Sequence, residues 1–437
     1  MSAQMNFLFA TFEGGGSVGP MMTVARRLAE RGHSVRVMSD ACNRSDAEAI
    51  NARFIGWSRA PSKPRRSREF DTWDDWSHEN PQDGFASLMD NLLVGPALAF
   101  AQDLIDELRR EPADLVVSSE MLFGPALGCE AIGQRHALLS ASIAVFPMPG
   151  FLPLGPGLTP PRSEEEKAIA AAITADAEHM LDAFLPALNA ARGALGLRPL
   201  ARLMDQHDAA EAILLGTSRS FDFAPETLPP RVSYIGPQLD EPCWAAPWVD
   251  PFAPHDARPL ALVGFSTTFQ NHAGVLQNVI EAIAPLPMRA VVTLGGSIEA
   301  GELRGAENVA IVESAPHHAV LRQARLAVTH GGHGTIMKAL AAGVPLLIMP
   351  HGRDQADNGV RVAARGAGLA LDRTSDVATI RAALSRLLEE PEFAARAQEL
   401  GKAIARDAAE TPVTAMLERF ARGGGAGHDA AIMAEAG

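Results

Sequence analysis

Cysteine is scarce in this chain. Among 437 residues there are three, Cys42, Cys129 and Cys243, and no two of them stand in a CxxC spacing. An odd number of widely separated cysteines excludes a disulfide framework and offers no zinc site. We therefore predict no metal site and a reducing compartment, the cytoplasm.

Positive charge is also in short supply. The 38 Lys and Arg residues face 52 Asp and Glu residues, which leaves a formal net charge of −14. Proteins that bind nucleic acid cluster basic residues against the phosphates, so this balance argues against a nucleic-acid partner. The one basic run, residues 59–68, is interrupted by Pro and Ser and predicts a solvated loop, with a grip for an acidic ligand as the alternative.

Long hydrophobic runs are missing as well. No apolar stretch approaches the roughly 18 residues that a membrane span needs. The strand-length apolar run at residues 6–12 has no basic segment before it, unlike a signal peptide. We expect a protein without a transmembrane segment, either monomeric or weakly homodimeric.

What the chain does have is a repeated alternation. Short runs rich in Leu, Ile and Val, such as "NFLFATF" and "RLAVTH", alternate with amphipathic patterns such as "MMTVARRLAERG". This is typical of an α/β protein with doubly wound parallel sheets, and it occurs twice. The sequence predicts two Rossmann-like domains facing across a cleft, residues 1–235 and 260–422, with a Pro-rich linker at 236–259 and a flexible tail at 423–437.

The stretch "THGGHGT", residues 329–335, joins a strand to a helix in the second half. Its glycines let the backbone approach a ligand closely, and the free N–H groups at the start of a helix bind anions. A phosphate here would meet the Gly334 and Thr335 amides, with His330 as a further donor. The alternative is a structural histidine in a tight turn.

A second polar group follows the strand "VPLLIM". Asp354 and Gln355 stand at the carboxyl end of that strand, which is the edge at which open sheets bind ligands. Their donors and acceptors suit sugar hydroxyls. For Asp354 alone, a role as helix N-cap is the alternative.

Together these segments resemble a known family. The run "THGGHGTIMKALAAGVPLLIMPHGRDQADNGVRV" is similar to the donor-binding signature of family 1 glycosyltransferases, a group that includes antibiotic, macrolide and plant secondary-metabolite enzymes. The resemblance covers most of the second half and the first forty residues. It implies the GT-B fold and an inverting transfer of a sugar from a UDP or dTDP donor to a hydroxyl of a hydrophobic small molecule, without a cofactor.

The resemblance also implies residue roles on the donor side. His330 would contact the diphosphate, Asp354 and Gln355 the sugar hydroxyls, and His317 the nucleobase, although His317 fits a plain turn equally well. The residues that would hold the donor are Ser266, Thr267, His317, His330, Gly332, Gly334, Thr335, Lys338, Asp354 and Gln355.

The chain departs from the family where the catalytic base is expected. Inverting members carry a histidine three residues before a proline, supported by an aspartate after a later strand. Here Ser17 stands three residues before Pro20, and Ser119 with Glu120 follows the later strand. A positioned base is worth about 10²–10⁴ in rate. We predict that Glu120 or Glu13 serves instead, directly or through Ser17, and loop histidines such as His78 are further candidates. An ordinary solvated or capping role is the alternative for either glutamate.

Lys338 is a second departure. Many members have a glutamate at this place, which accepts hydrogen bonds from both ribose hydroxyls, whereas lysine has no acceptor. The substitution predicts a weaker demand for a 2′-hydroxyl. A dTDP donor should then be tolerated at least as well as a UDP donor.

Two long loops interrupt the first half, residues 62–84 and 146–161, and loops of such length usually carry function. Aromatic side chains gather in or beside them. The sequence leaves two interpretations open: the aromatics cap the sheet core, or they form an apolar pocket for the acceptor. The residues chosen for this pocket are Trp73, Trp76, Phe85 and Phe146.

Two other functions fit parts of the sequence. Residues 14–19, "GGGSVG", satisfy the GxGxxG pattern and precede Asp40 by about twenty residues, as in an NAD-dependent oxidoreductase. The missing His–Asp pair would also suit a catalytically weak protein that binds nucleotide sugars in an auxiliary role. We favour the transferase because the oxidoreductase leaves "THGGHGT" and "RDQADN" unexplained.

Overall fold

The computed structural model describes residues 3–71, 73, 77–78, 80–240, 248–266, 268, 270–296 and 298–424. These residues form two parallel β-sheets with helices on their faces. The predicted α/β fold class is confirmed. The predicted domain boundaries stay a prediction, and most of the predicted tail lies outside the described residues, as does Cys243 of the predicted linker.

The strands of the first sheet are β1 (Asn6–Ala10), β2 (Ser34–Ser39), β3 (Arg53–Gly56), β4 (Leu115–Ser119), β5 (His136–Ser140), β6 (Ile213–Leu215) and β7 (Val232–Tyr234). Their order in the sheet is β3-β2-β1-β4-β5-β6-β7. All pairs are parallel, and Ala10 lies opposite Ser118. The strand order therefore reverses between β1 and β4. Open sheets of this type form their ligand crevice at such a switch point.

The strands of the second sheet are β8 (Leu260–Gly264), β9 (Arg289–Thr293), β10 (Val309–Val312), β11 (Ala324–Thr329), β12 (Leu346–Ile348) and β13 (Gly368–Ala370). They are parallel in the order β10-β9-β8-β11-β12-β13. The switch point of this sheet lies between β8 and β11. Each half therefore has a crevice at the carboxyl ends of its two central strands.

The helices of the first half are α1 (Val18–Glu30), α2 (Arg44–Ala49), α3 (Pro81–Leu88), α4 (Ala97–Arg110), α5 (Phe123–Ile132), α6 (Glu164–Asp182) and α7 (Leu185–Ala194). A π-helical turn, Met89–Leu93, follows α3, and short 3-10 turns occupy Ala41–Asn43, Arg68–Phe70 and Leu203–Ala209. Helices cover both faces of the sheet, and β4 is accordingly buried along its whole length.

The helices of the second half are α8 (Ala273–Ile283), α9 (His317–Leu321), α10 (His333–Ala341), α11 (Gln355–Ala364), α12 (Val377–Glu389), α13 (Pro391–Glu410) and α14 (Val413–Ala421). A 3-10 turn occupies Ala300–Glu302. The last helix, α14, returns to the first half, because Leu417 and Phe420 are buried in the core that contains Phe7 and Val24.

One helical stretch, Gln82–Arg110, is long and apolar enough by length and composition to cross a membrane. Its side chains Leu93, Phe100 and Leu104 are fully buried in the core of the first half. Core helices of folded domains pass the same test of length and composition, so the stretch is weak support for a membrane span.

Candidate functional site

The crevice of the second sheet brings His330 to Phe265. Val263 of β8 lies opposite Val328 of β11, so the residues two positions further along meet at the same edge. The rings of Phe265 and His330 stack with centroids 6.0 Å apart. His330 is 8% exposed, and burial lowers its pKa well below the ordinary value. The imidazole is therefore neutral at neutral pH and carries one N–H donor.

The turn after His330 is shaped for close approach of the backbone. A Cβ on Gly332 would lie 2.8 Å from the His330 ring, so only glycine fits beneath the imidazole. Gly332 is the N-cap of α10, and Gly334 and Thr335 occupy the first turn of that helix. Amides in the first turn have no partner within the helix and bind anions well. The three predicted residues thus lie beside His330.

The second histidine of the turn, His333, faces the other half of the molecule. Its Nε2 lies 2.9 Å from the Thr217 hydroxyl, and its ring meets that of Phe221 edge to face at 6.0 Å. Burial lowers the pKa of His333 to about 4. His333 therefore connects the start of α10 to the first half.

Gln355 holds the edge of the site together. Its Oε1 accepts a hydrogen bond from the His351 amide at 2.7 Å, and its Nε2 donates to Gln270 at 2.9 Å. Gln270 donates in turn to the Ser266 hydroxyl at 2.8 Å. This chain joins the end of β8 to the start of α11. It brings the predicted donor residues Ser266 and Gln355 into one network, whereas Thr267 lies outside the described residues.

Asp354 is directed towards the first half. Its Oδ2 accepts a hydrogen bond from the Ser142 hydroxyl at 2.7 Å and from Asn358 at 2.9 Å. Asp354 holds the N-cap position of α11, but its side chain makes no capping hydrogen bond. The simple alternative of a capping aspartate therefore does not describe this side chain.

Sequence reasoning missed two further imidazoles at this site. The His272 ring stacks on Phe265 at 5.8 Å, and the His351 ring meets Phe265 edge to face at 5.7 Å. Burial lowers the pKa of His272 to about 4 and lowers that of His351. Neither histidine stands at a telling spacing from His330, so only the adjacency of His351 to Asp354 could have drawn attention to it.

The remaining donor residues lie around this cluster. The His317 ring packs against Gly264, at which a Cβ would lie 3.0 Å from the ring, and its Nε2 is 3.5 Å from the Thr293 hydroxyl. His317 therefore stands at the carboxyl ends of β8 and β9. Lys338 is half-buried on α10, one turn after Thr335. Their predicted contacts with the nucleoside stay predictions.

The crevice of the first sheet contains Ser17 and Glu13. Ser17 is the N-cap of α1 and donates to the Phe12 carbonyl at 3.4 Å. The Glu13 carboxylate, 7% exposed, pairs with Arg66 at 3.0 Å and accepts the Gly15 amide at 2.9 Å. Its oxygens are therefore engaged within the protein, which makes Glu13 a poor base.

The same contacts argue against a dinucleotide at residues 14–19. The Gly15 amide, which a pyrophosphate would need, already donates to Glu13. Asp40, which would hold the ribose, accepts the amides of Glu13 at 2.8 Å and Lys63 at 2.6 Å. The geometry therefore disfavours the oxidoreductase.

The basic run at residues 59–68 is folded onto the first half rather than simply solvated. Arg59 pairs with Asp103 at 3.1 Å, and Lys63 pairs with Asp71. The Arg66–Glu13 pair is a third contact of this kind. Three basic side chains of the run are therefore paired within the protein, which favours a structural role over a binding site for an acidic ligand.

Glu120 lies at the other side of this crevice. It directly follows β4 and is 3% exposed, and its burial raises its pKa to about 7 despite a hydrogen bond with the Ser140 side chain. Ser119 is also buried, and its hydroxyl accepts the Met121 amide at 3.4 Å. Since Ala10 lies opposite Ser118, Glu120 stands at the same sheet edge as Ser17.

Phe146, predicted to contact the acceptor, is 8% exposed. Its ring meets Phe123 at 5.8 Å and His207 at 5.5 Å, both edge to face. Its contacts are those of a core residue in the loop that follows β5.

The other predicted acceptor residues also pack on the core. Phe85 meets Phe184 edge to face at 6.2 Å, and Trp73 meets Phe12 at 6.3 Å. Both are half-buried against the hydrophobic core of the first half, and Trp76 lies outside the described residues. These contacts favour the alternative in which the aromatics cap the sheet core, with one side of Trp73 and Phe85 left accessible.

A cavity of about 500 Å³ lies elsewhere, where the two halves meet. Its walls come from residues 150–161 and 219–226 and from Arg365 at the end of α11. Because α11 rises about 1.5 Å per residue, this cavity is a helix length away from Asp354. Among the described residues, no group of three or more His, Cys, Asp or Glu side chains is placed to hold a metal ion.

Comparison with known proteins places this geometry in a family. Residues 277–420 match the family described as erythromycin biosynthesis protein CIII-like, C-terminal domain. Over 415 residues the chain is 30% identical to 4'-demethylrebeccamycin synthase of Lentzea aerocolonigenes, covering 92% of this chain and 96% of that protein. The chain belongs to the family 1 glycosyltransferases. The predicted family and the predicted enzyme class, a glycosyltransferase of the secondary-metabolite type, are confirmed.

Solved glycosyltransferase structures share the whole fold. The glycosyltransferase of kitacinnamycin superposes with a TM-score of 0.73 at 20% identity, covering 96% of this chain and 100% of that one. The spinosyn rhamnosyltransferase SpnG, complexed with thymidine diphosphate, superposes with a TM-score of 0.64 at 19% identity, covering 95% of this chain and 100% of that one. SpnG has also been solved with the spinosyn aglycone. The GT-B fold of this glycosyltransferase is confirmed.

Proposed function

We propose that this glycosyltransferase moves a sugar from a dTDP or UDP donor to a hydroxyl of a hydrophobic small molecule, with inversion at the anomeric carbon. The observation that carries the proposal is neutral His330, which stacks on Phe265 at the glycine-rich turn before α10. Asp354, the N-cap of α11, follows the neighbouring strand β12 at the same edge of the sheet. One arrangement thus offers an N–H donor, helix amides and a carboxylate within the same crevice.

The departing diphosphate would be stabilised on this side. As the bond from the anomeric carbon to the diphosphate oxygen breaks, negative charge grows on that oxygen. The His330 N–H and the amides of Gly334 and Thr335 would donate hydrogen bonds to that oxygen, and the start of α10 adds the positive end of its dipole. A thymidine nucleotide in SpnG supports the dTDP donor.

The acceptor would lose its proton to Glu120. A base works best when its pKa lies near the working pH, and burial raises the pKa of Glu120 to about 7. Glu13 is engaged by Arg66 and by the Gly15 amide, so we assign the base to Glu120 in preference to Glu13. Ser17 lies at the same crevice and would relay the proton or orient the hydroxyl.

The acceptor class follows from the wall of the crevice. Trp73 and Phe85 are half-buried and apolar, which suits a flat hydrophobic molecule better than a polysaccharide. The aglycone bound by SpnG supports an acceptor of this class.

The test is an incubation with dTDP-glucose or UDP-glucose and a panel of phenolic and polycyclic alcohols. We expect a product heavier than the acceptor by one hexose, with the β configuration in the anomeric proton coupling because the donors are α-linked. A product that keeps the α configuration would contradict inversion. Sugar release at equal rates with and without every acceptor would contradict transfer to this acceptor class.

A further inference from the structure

One face of α11 is turned to the first half. Asp354, Asp357, Arg361 and Arg365 follow one another at spacings of three and four residues, which places them on a single helix face. Arg361 pairs with the buried Asp222 at 2.7 Å, and Arg365 donates to the Asp222 carbonyl at 2.6 Å. The helix that begins at the proposed sugar-binding residues thus also forms one of the contacts between the halves.

Asp357 holds a loop of the first half on this face. Its Oδ2 accepts the Gly155 amide at 2.7 Å, and its Oδ1 accepts the Gly157 amide at 3.2 Å. The residue is 2% exposed. A carboxylate withdrawn from water is costly unless it is hydrogen-bonded, so these two amides are what make its burial tolerable.

The loop is built for this contact. Gly155 and Gly157 have φ angles of +117° and +67°, a region that side chains disfavour. A Cβ on Gly157 would also lie 3.2 Å from the Ala356 carbonyl oxygen. Backbone amides that converge in such conformations form a concavity for an anion, and here the anion is the Asp357 side chain.

The same loop is fixed at its other end. We call residues 142–157 the strap. Ser142 donates to Asp354 at 2.7 Å, and Ile143 is buried in the core of the second half. Between the two ends, Phe146 packs on Phe123 in the first half. Displacement of the strap would therefore disturb the acceptor side and the sugar-binding helix together.

We infer that Asp357 is a positioning residue, which clamps the strap onto α11 and so sets the acceptor side of the cleft against the donor sugar. The inference rests on the proposed function, because it takes Asp354 as a sugar contact. It assigns no chemical step to Asp357. The clamp would hold the acceptor in line and exclude water, which otherwise attacks the donor.

The test separates this role from a merely structural one. Asp357→Asn keeps the size of the side chain, removes its charge and leaves one amide without an acceptor. Loss of one hydrogen bond to a charged group corresponds to about tenfold. We expect the KM for the acceptor and the ratio of donor hydrolysis to transfer to rise by about that factor, with the KM for dTDP-glucose unchanged.

A different outcome would identify helix stabilisation as the role of Asp357. Acidic residues in a first turn favour the helix dipole wherever they point. In that case Asp357→Asn lowers the melting temperature and leaves the acceptor KM and the hydrolysis ratio unchanged, which would overturn the inference. Asp376→Asn is the matched control, since Asp376 is an exposed N-cap of the same half and asparagine caps equally well.

A change on the strap tests the clamp from the other side. Gly157→Ala should reproduce the kinetic effect, whereas Gly196→Ala, with a similar φ of +76° and no contact for its Cβ, should not. If both partners act through one clamp, the effects of Asp357→Asn and Gly157→Ala are not additive in the double variant. Fully additive effects would contradict a shared clamp.

Hydrogen exchange on the unaltered protein decides the matter if the variants do not fold. The amides of Gly155 and Gly157 should exchange slowly, because they are bonded to a buried carboxylate. Exchange as fast as in an exposed loop would overturn the clamp. Failure of both dTDP and UDP to bind the unaltered protein would instead overturn the proposed function and leave the exchange result standing.

Discussion

The two crevices of this glycosyltransferase differ in how their polar groups are used. In the second half, His330 and the first turn of α10 are neutral donors arranged around an open backbone turn. In the first half, Glu13 and Arg66 neutralise each other, and Glu120 is a carboxyl group whose pKa is raised by burial. By resemblance, the donor side matches the family signature, whereas on the acceptor side Ser17 and Ser119 stand where the catalytic pair is expected.

The largest expected effect concerns the catalytic base on the acceptor side. Glu120→Gln should lower kcat by about 10²–10⁴, the contribution of a positioned base. The unaltered enzyme should gain activity as the pH rises through about 7, because the raised pKa keeps Glu120 protonated below that value. Steady-state kinetics across pH 5 to 9, roughly the range over which such a base titrates, measures both.

Glu13→Gln is the matched control for that variant. It should destabilise the basic run at residues 59–68, since Arg66 loses a partner, but it should leave the pH profile in place. If Glu120→Gln and the double variant with Glu13→Gln both turn over as fast as the unaltered enzyme, neither carboxylate is the base.

The next effect concerns the diphosphate contact on the donor side. His330→Ala should lower kcat/KM for the nucleotide sugar by about 10²–10³. This is the usual loss when one hydrogen-bond donor to a developing oxyanion is removed. His318→Ala, an exposed histidine on α9, serves as the control. If both substitutions lower kcat/KM by the same small factor, His330 does not stabilise the diphosphate and the two crevices do not differ in this way.

A smaller effect concerns the nucleobase and ribose. Because Lys338 cannot accept a hydrogen bond from a ribose hydroxyl, dTDP-glucose should be used at least as well as UDP-glucose. Lys338→Glu should shift the preference towards UDP by about tenfold, the value of one hydrogen bond to a charged acceptor. Competition between the two donors measures the ratio, and a tenfold preference of the unaltered enzyme for UDP would refute this account of Lys338.

The last effect is a loss of stability at acid pH, to which both halves contribute. Burial lowers the pKa of His136 and His207 in the first half, and of His272 and His333 in the second, to about 4. The unfolded chain takes up protons below pH 6.5 while the folded histidines stay neutral, so stability should fall from pH 6.5 towards pH 4.

Glu120 acts in the opposite direction within an overlapping window. Its folded pKa is raised, so its contribution to stability is present below its unfolded pKa of about 4.3 and is lost as the pH rises through about 7. Melting temperatures of the unaltered protein and of Glu120→Gln should therefore diverge between pH 4.5 and 7. Parallel curves would show that Glu120 does not titrate in this window.

Much of the donor side could be predicted from the sequence, because its residues follow strands that the alternation of patterns identifies. Once β8 and β11 are recognised as neighbours, the meeting of Phe265 and His330 follows from their register. The rings of His272 and His351 could not be predicted, since they reach the site from a loop and from the next strand and obey no spacing. The Ser142–Asp354 contact joins residues 212 positions apart, and local patterns carry no trace of it.

The acceptor side was less predictable for a physical reason. The pairing of Glu13 with Arg66 depends on the fold of a loop more than fifty positions away, and it changes a plausible base into an ion-pair partner. The aromatic residues were visible in the sequence, but their burial was not. Phe146 packs on Phe123 because the strap returns over the core. The hydrophobic pattern of the sequence does not predict this path of the strap.

Thermal unfolding with thymidine diphosphate, uridine diphosphate and NAD, each in excess, tests the central claim most directly. A ligand at 100 times its dissociation constant stabilises the folded protein by about 2.7 kcal/mol, which a melting curve resolves. The account predicts that a nucleoside diphosphate raises the melting temperature and that NAD leaves it unchanged. It also predicts that His330→Ala loses the shift caused by the nucleoside diphosphate. Stabilisation by NAD alone would contradict it and move the functional loop from residues 329–335 to residues 14–19.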